Sequence, residues 1–311
     1  MYQHTSTTQF TLTPFDSLFY ALWQALPLTA IAIAWNTLSI VALEFLIWAA
    51  FKYLERPASI PILCLATSAF VWIDPVFKTL LLGQDNLVIV AAVVFDFIQP
   101  AGSRTKGVWL GIFSGIKLIP LFLICYLITT RRWRFALRAL TTFVGTIAVG
   151  AVALPLDSWR YWTGIVFDAN RAGNIFDPRA QSLLSNFERW FGSPNILIPW
   201  IITDLIVAGI CLLLATRLYH RGYDIAGMYI CGAATLIISP VTWNHHFVWA
   251  VPMLIIILYK AWVQRSIPGL SAALTILLVL YIHPYTWAVP LAPINAFTAL
   301  DNIKCTAYLL V

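Results

Sequence analysis

The sequence predicts an all-α polytopic membrane protein, a bundle of about eight to ten membrane helices that includes one broken or re-entrant pair. Three observations carry this. Of the 311 residues, 60% are hydrophobic and only 10% are charged, well under half the charged share of a soluble domain. Apolar runs recur at the roughly 20-residue length that a bilayer core requires. Lysine and arginine are confined to short loops between those runs, so the formal net charge of +6 reports orientation in a membrane and not a nucleic-acid partner.

In chain order, the runs near span length are Leu28–Tyr53, Ile60–Thr79, Phe135–Leu156, Ile196–Leu218, Ile225–Ser239, Phe247–Val263 and Leu270–Trp287, with a terminal Ile294–Val311. Two shorter pieces, Leu87–Ile98 and Val108–Ile119, lie between them, and the second continues past Lys117 and Pro120 into Leu121–Thr130. Five basic loops (Lys52/Arg56, Arg104/Lys106, Arg131 to Arg138, Arg217/Arg221 and Lys260/Arg265) belong in the cytoplasm by the positive-inside rule. A single crossing by Val108–Thr130 would put the four arginines Arg131, Arg132, Arg134 and Arg138 on the wrong side. The segment "SGIKLIP" is therefore expected to break, because Pro120 removes a helical hydrogen bond and clashes one turn upstream. A V of two short helices results, with Lys117 near its apex.

With that fold-back, residues 1–311 read as a single integral membrane domain whose outer loops lie near 73–86, 157–194, 240–246 and 283–295. The loop Asp157–Pro194 is rich in aromatics ("WRYWTGIVFDANRAGNIF") and predicts short helices in the headgroup plane. The first fifteen residues carry no lysine, arginine or signal-like core. Loss of an upstream span is one expectation for that end; at the other, the chain stops inside an apolar run. The 5 cysteines stand singly in apolar stretches, without metal or disulfide spacing.

Four stretches on or near this outer face could carry chemistry. In "IDPVFKTLLLGQDN", Gly83 caps one helix and Gln84 and Asn86 open the next, where free N–H groups and the helix dipole suit a phosphate. The plainer reading is a solvated loop. Lys117, within an apolar segment, either binds an anionic lipid phosphate or pairs with an intramembrane acid such as Asp96. In "VTWNHHFVWAVPMLII", His245 and His246 either anchor and cap the following helix or hydrogen-bond a phosphate or sugar and shuttle a proton. No third ligand stands at metal spacing, so no metal site and no cofactor are expected, and a metal requirement stays open. In "DPRAQSLLSNFERWFG", Arg179, Gln181 and Asn186 offer donors to a phosphate or sugar, or simply line an interfacial helix. Glu44, Asp96 and Asp204 lie within spans.

Taken together these stretches resemble glycosyltransferase family 87, the polyprenyl-phosphate-mannose-dependent mannosyltransferases of actinobacterial envelopes, with a GT-C membrane fold. "DPVFKTLLLGQDN" resembles the family's acidic-Pro-Val…Gly-Gln-x-Asn pattern, and "GIFSGIKLIP" its Gly…Lys-x-x-Pro segment. "QSLLSNFERWFG" is similar to its Gln-Ser-Leu loop and "SPVTWNHHFVW" to its Trp-x-His-His-x-Val-Trp signature. "FTLTPFDSLFYALWQALP", Phe10 to Pro27, looks like its Phe-Thr-Tyr-Pro-Pro-Phe segment, with Asp16 in place of a small residue. The resemblance implies a membrane hexosyltransferase with an extracytoplasmic active face. Its donor would be a polyprenyl-phosphate-sugar, mannose or arabinofuranose, its acceptor a cell-envelope glycolipid or lipoglycan, and its most common linkage α-(1→2). The phosphate would be held by Gln84, Asn86, Lys117, Gln181 and Arg179, with His245 and His246 at the reacting centre. The family's catalytic aspartate lies upstream of the first matched motif, so Asp74 and Asp16 are the acids within this chain that could substitute. Two other readings remain, an inactive relative that binds lipid-linked sugar and a lipid or sugar transporter.

Overall fold

The computed structural model describes residues 12–192, 196–287 and 299–309. Among them the chain is helical, with no strand beyond one isolated antiparallel bridge between Ala180 and Trp243. In order come α1 (Pro14–Ala21), α2 (Leu28–Tyr53), α3 (Ile60–Phe70), α4 (Asp74–Leu81), α5 (Asn86–Ile98), α6 (Val108–Ile116), α7 (Phe122–Thr129) and α8 (Trp133–Ala153). Then follow α9 (Pro155–Thr163), α10 (Leu183–Phe191), α11 (Leu197–His220), α12 (Asp224–Ile238), α13 (Ala250–Val263), α14 (Ile267–Ile282) and α15 (Ala299–Thr306).

Five helical stretches are long and apolar enough to cross a membrane: Leu28–Tyr53, Trp133–Ala153, Leu197–His220, Asn244–Val263 and Ile267–Thr286. Three shorter apolar helices, Asn86–Ile98, Ile119–Thr129 and Asp224–Ile238, accompany them. The protein is an all-α polytopic membrane protein, as expected. The run Ile60–Thr79 is not one straight span: α3 and α4 meet at 84°. Asp74-Pro75 is the cause, since Pro75 has no N–H for the turn before it and starts a new helix at its first positions. The expected terminal span Ile294–Val311 is described only at 299–309, which form the eight-residue α15 and a turn after it; residues 294–298 and 310–311 lie outside the described residues, as do 1–11, 193–195 and 288–295 of the expected tail and outer loops.

The chain divides into two compact units. The first comprises residues 1–32, 95–175 and 210–235. Here α6 packs on α8 so closely that a Cβ at Gly111 would stand 2.5 Å from the Ala139 carbonyl, and one at Gly115 would collide with the Thr146 side chain. The ladder breaks at Lys117, which is extended (φ −140°, ψ 125°), and resumes through a 3-10 turn at Ile119–Leu121 into α7. That is where the proline was expected to break it. Arg132 closes the basic end of this unit: it pairs with Asp224 at 2.7 Å and lies over the rings of Phe97, Tyr126, Phe135 and Tyr219.

The second unit comprises residues 33–94, 176–209 and 236–311. Its α4 packs on the 3-10 turn Asn244–Trp249 and on α14, while α15 packs on α10 and on the turn Pro284–Trp287. The expected short helices of the loop 157–194 are present: α9 and 3-10 turns at Ile165–Phe167 and Ala169–Ala172 in the first unit, and α10 in the second, with Trp159, Phe167 and Phe191 exposed.

Candidate active site

The second unit brings together three of the four stretches that the sequence singles out. Gly83, at φ +60°, ends α4 in a Schellman turn in which Gln84 N–H reaches the Thr79 carbonyl at 2.9 Å and Gly83 N–H reaches Leu80. A left-handed residue is required there, and glycine supplies it without strain. The chain turns directly into α5, so Asn86 comes to stand beside Thr79, its amide 3.3 Å from the Thr79 hydroxyl. Both then donate to the backbone carbonyl of His245, each at 3.1 Å.

The histidine turn is held on its other side by the stretch 177–192. Gln181 N–H donates to the Thr242 carbonyl at 2.6 Å and Asn244 N–H donates to the Arg179 carbonyl at 3.0 Å, the two bonds that bracket the Ala180–Trp243 bridge. Arg189 keeps that stretch in shape: its guanidinium donates to the carbonyls of Asp177 and Ala180 and to Asn186 Oδ1. Burial pulls Arg189 down to about 10 from the ordinary arginine range.

His245 and His246 are both buried, their rings edge to face at 4.7 Å. The backbone N–H of Trp243 donates to His246 Nδ1 at 3.2 Å. An acceptor at Nδ1 places the proton of a neutral imidazole on Nε2. His246 is thereby set as an Nε2–H donor.

Asp74 opens α4 beneath this turn. Its carboxylate accepts from Asn244 Nδ2 at 2.6 Å, from the Tyr285 hydroxyl at 2.9 Å and from the Tyr308 hydroxyl at 2.8 Å, with His283 Nδ1 at 3.9 Å. Asn244 belongs to the "NHH" that the sequence marks; Thr79, Tyr285 and Tyr308 are not singled out from the sequence. The tyrosines stand 211 and 234 positions from Asp74, and no local spacing signals such a contact.

The expected site residues have the following partners. Asn86 spends its amide on Thr79 and on the His245 carbonyl, so it works as a clamp on the turn. Arg179 is engaged by Asp177 through both arms of its fork, at 2.9 and 2.6 Å. Gln181 is buried and donates to the Pro178 carbonyl, and Asn186 donates to the Ser182 carbonyl. Among the described residues, the side-chain amide of Gln84 engages no neighbour. Lys117 and Asp16 belong to the first unit, where both are buried. Asp16 sits in the first turn of α1, its N–H donating to the Thr13 hydroxyl. Asp96 does not pair with Lys117: its Oδ2 accepts the Leu110 N–H at the start of α6, at 2.7 Å. Lys117 ends the same helix, about 13 Å away. Among the described residues no three His, Cys, Asp or Glu side chains gather as a metal site.

The profile of glycosyltransferase family 87 matches residues 10–240. A polyprenol-phosphate-mannose-dependent alpha-(1-2)-phosphatidylinositol mannoside mannosyltransferase of Mycobacterium tuberculosis is 26% identical over 272 residues, 83% of this chain and 64% of the relative. A polyprenol-phosphate-mannose-dependent alpha-(1-2)-phosphatidylinositol pentamannoside mannosyltransferase of Mycolicibacterium smegmatis is 27% identical over 251 residues, 80% of this chain and 61% of the relative. The chain thus spans about three-fifths of the length of these relatives. No solved structure matches. With its motifs in order and the family profile covering most of its length, the chain belongs to glycosyltransferase family 87.

Proposed function

We propose that residues 1–311 act as one integral membrane domain that transfers mannose from a polyprenyl-phosphate-mannose to a membrane glycolipid of the phosphatidylinositol mannoside class, in α-(1→2) linkage, on the extracytoplasmic face. The observation that carries this reading is the interlock of "DPVFKTLLLGQDN", "RAQS" and "TWNHH" around the histidine pair. Family membership and the names of the mycobacterial relatives support the donor, the acceptor and the linkage.

In the reaction the acceptor hydroxyl oxygen attacks the anomeric carbon. The bond from that carbon to the phosphate oxygen breaks, its electron pair leaving with the polyprenyl phosphate, and the configuration inverts. His246, set as an Nε2–H donor, hydrogen-bonds the phosphate as charge develops on it. His245 takes the hydroxyl proton and gives it up to water afterwards, since imidazole is the side chain that exchanges protons near neutral pH. Gln84 supplies an uncommitted amide beside α5, and Lys117 is a separate phosphate candidate.

The test is mannosyl transfer from synthetic polyprenyl-phosphate-mannose to a phosphatidylinositol mannoside in membranes containing this chain, with the arabinofuranosyl donor in parallel. H246A and H245A are each expected to lose about 100-fold or more in rate. Full rates in both variants would remove the histidines from the site. Absence of transfer by the unaltered chain would leave the lipid-sugar-binding reading in its place.

A further inference from the structure

We propose that Asp74 is a positioning residue and not a base: it fixes the orientation of the histidine pair through Asn244, with Tyr285 and Tyr308 as its other two anchors. The inference rests on the proposed transfer reaction for its kinetic consequence, but its structural content stands apart from it.

A general base must present a lone pair to the incoming hydroxyl within about 3 Å. Asp74 is 1% exposed, and three donors converge on its two oxygens. Its partners are aimed at the histidine turn. Asn244 immediately precedes His245, and its N–H is bound to the Arg179 carbonyl while its side chain is bound to Asp74. Tyr308 bonds Asp74 and also sets its ring edge to face against Phe247, the residue that follows His246, at 5.1 Å. Tyr285 packs edge to face on Tyr308 at 5.7 Å and donates to both carboxylate oxygens. The carboxylate therefore grips the two histidines from the residue before and the residue after. The His245 carbonyl is held independently from α4 and α5. A side chain so arranged decides where the imidazoles point.

The test uses the full chain in lipid nanodiscs with isotope-labelled histidine, comparing D74N, N244A and the double variant. D74N sets an N–H₂ donor against other donors, so both single variants are expected to shift the imidazole signals of His245 and His246. Each is expected to lower kcat by about 10- to 100-fold with donor KM little changed. The double variant should lose no more than the worse single one, because both break the same link. Losses that multiply in the double variant overturn the proposal, as do unmoved imidazole signals in D74N. A base would also lose the acidic limb of the pH profile of kcat in D74N alone, and that result overturns it too. If D74N does not fold, Y308F keeps the ring against Phe247 and removes one donor. A smaller shift of the same signals then supports the proposal, and none contradicts it. Should the unaltered chain transfer nothing, the function reading fails and the imidazole signals alone decide the positioning role.

Discussion

The Asn86 amide reaches across 159 positions of sequence to donate to the backbone carbonyl of His245 at 3.1 Å. The Thr79 hydroxyl, 7 positions earlier in the chain, donates to the same oxygen at 3.1 Å. Two short helices, joined by a four-residue turn that contains Gly83, thus hold the histidine turn by its backbone.

This relationship predicts an order among substitutions at position 86. N86A removes one of two donors from a buried carbonyl, a loss of about 1 kcal/mol, or five- to tenfold in rate if it is expressed in the transition state. N86D is nearly isosteric but faces the carbonyl with acceptors only, so it should be worse than alanine in both transfer rate and thermal midpoint. Equal behaviour of N86D and the unaltered chain would show that the amide does not hold the turn.

The parts of this site that were legible in the sequence are local. Gly83 next to Gln84 announces a helix stop within four residues, and "NHH" before an apolar run announces a polar turn. Contacts that join distant segments left no such trace. Nothing in "HPYTW" or "TAYLL" marks Tyr285 or Tyr308 as partners of Asp74. Composition also misjudged two features. Only Asp74 and Lys78 are charged in the run Ile60–Thr79, so hydropathy averaged over its length reads through the 84° corner that Pro75 enforces. Asp96 is one of two candidate partners for Lys117 by composition, but the N–H groups at the start of α6 lie nearer to it and satisfy it.

Gly83 gives a second prediction. A Cβ there would meet nothing closer than Trp35 Cδ1 at 4.0 Å, so space is not the constraint; the left-handed backbone at φ +60° is. G83A should cost about 1–2 kcal/mol and lower the thermal midpoint by a few degrees. G83N should cost less, because asparagine tolerates this conformation. Alanine and asparagine variants of equal stability would argue against a left-handed cap.

Arg132 gives a third. Its guanidinium lies 4.7 Å from the ring centroids of Tyr126 and Tyr219 and 5.3 Å from that of Phe97, while pairing with Asp224. R132K keeps the charge but loses the flat surface that stacks on several rings at once, an expected loss of about 1–2 kcal/mol in thermal unfolding. R132M should lose more, since it also leaves the half-buried Asp224 without its cation. If lysine matches arginine, the ion pair alone accounts for this contact.

The last prediction concerns acid. Burial pushes Asp177 up, but the hydrogen bonds and charge of Arg179 outweigh it and hold the carboxyl below the usual aspartate range. A carboxyl lowered on folding contributes stability that is fully present above its unfolded value, near 4, and is lost as pH falls through its folded value. R179L should therefore be less stable than the unaltered chain by an amount that is constant from about pH 7 to 5 and closes below about pH 4. Arg179 is 61% exposed, so the difference is small and should narrow in high salt. Thermal midpoints of both proteins across that range, in one detergent, measure it. A difference that persists unchanged to pH 3 would assign the stabilisation to packing of the Arg179 stem and not to its charge.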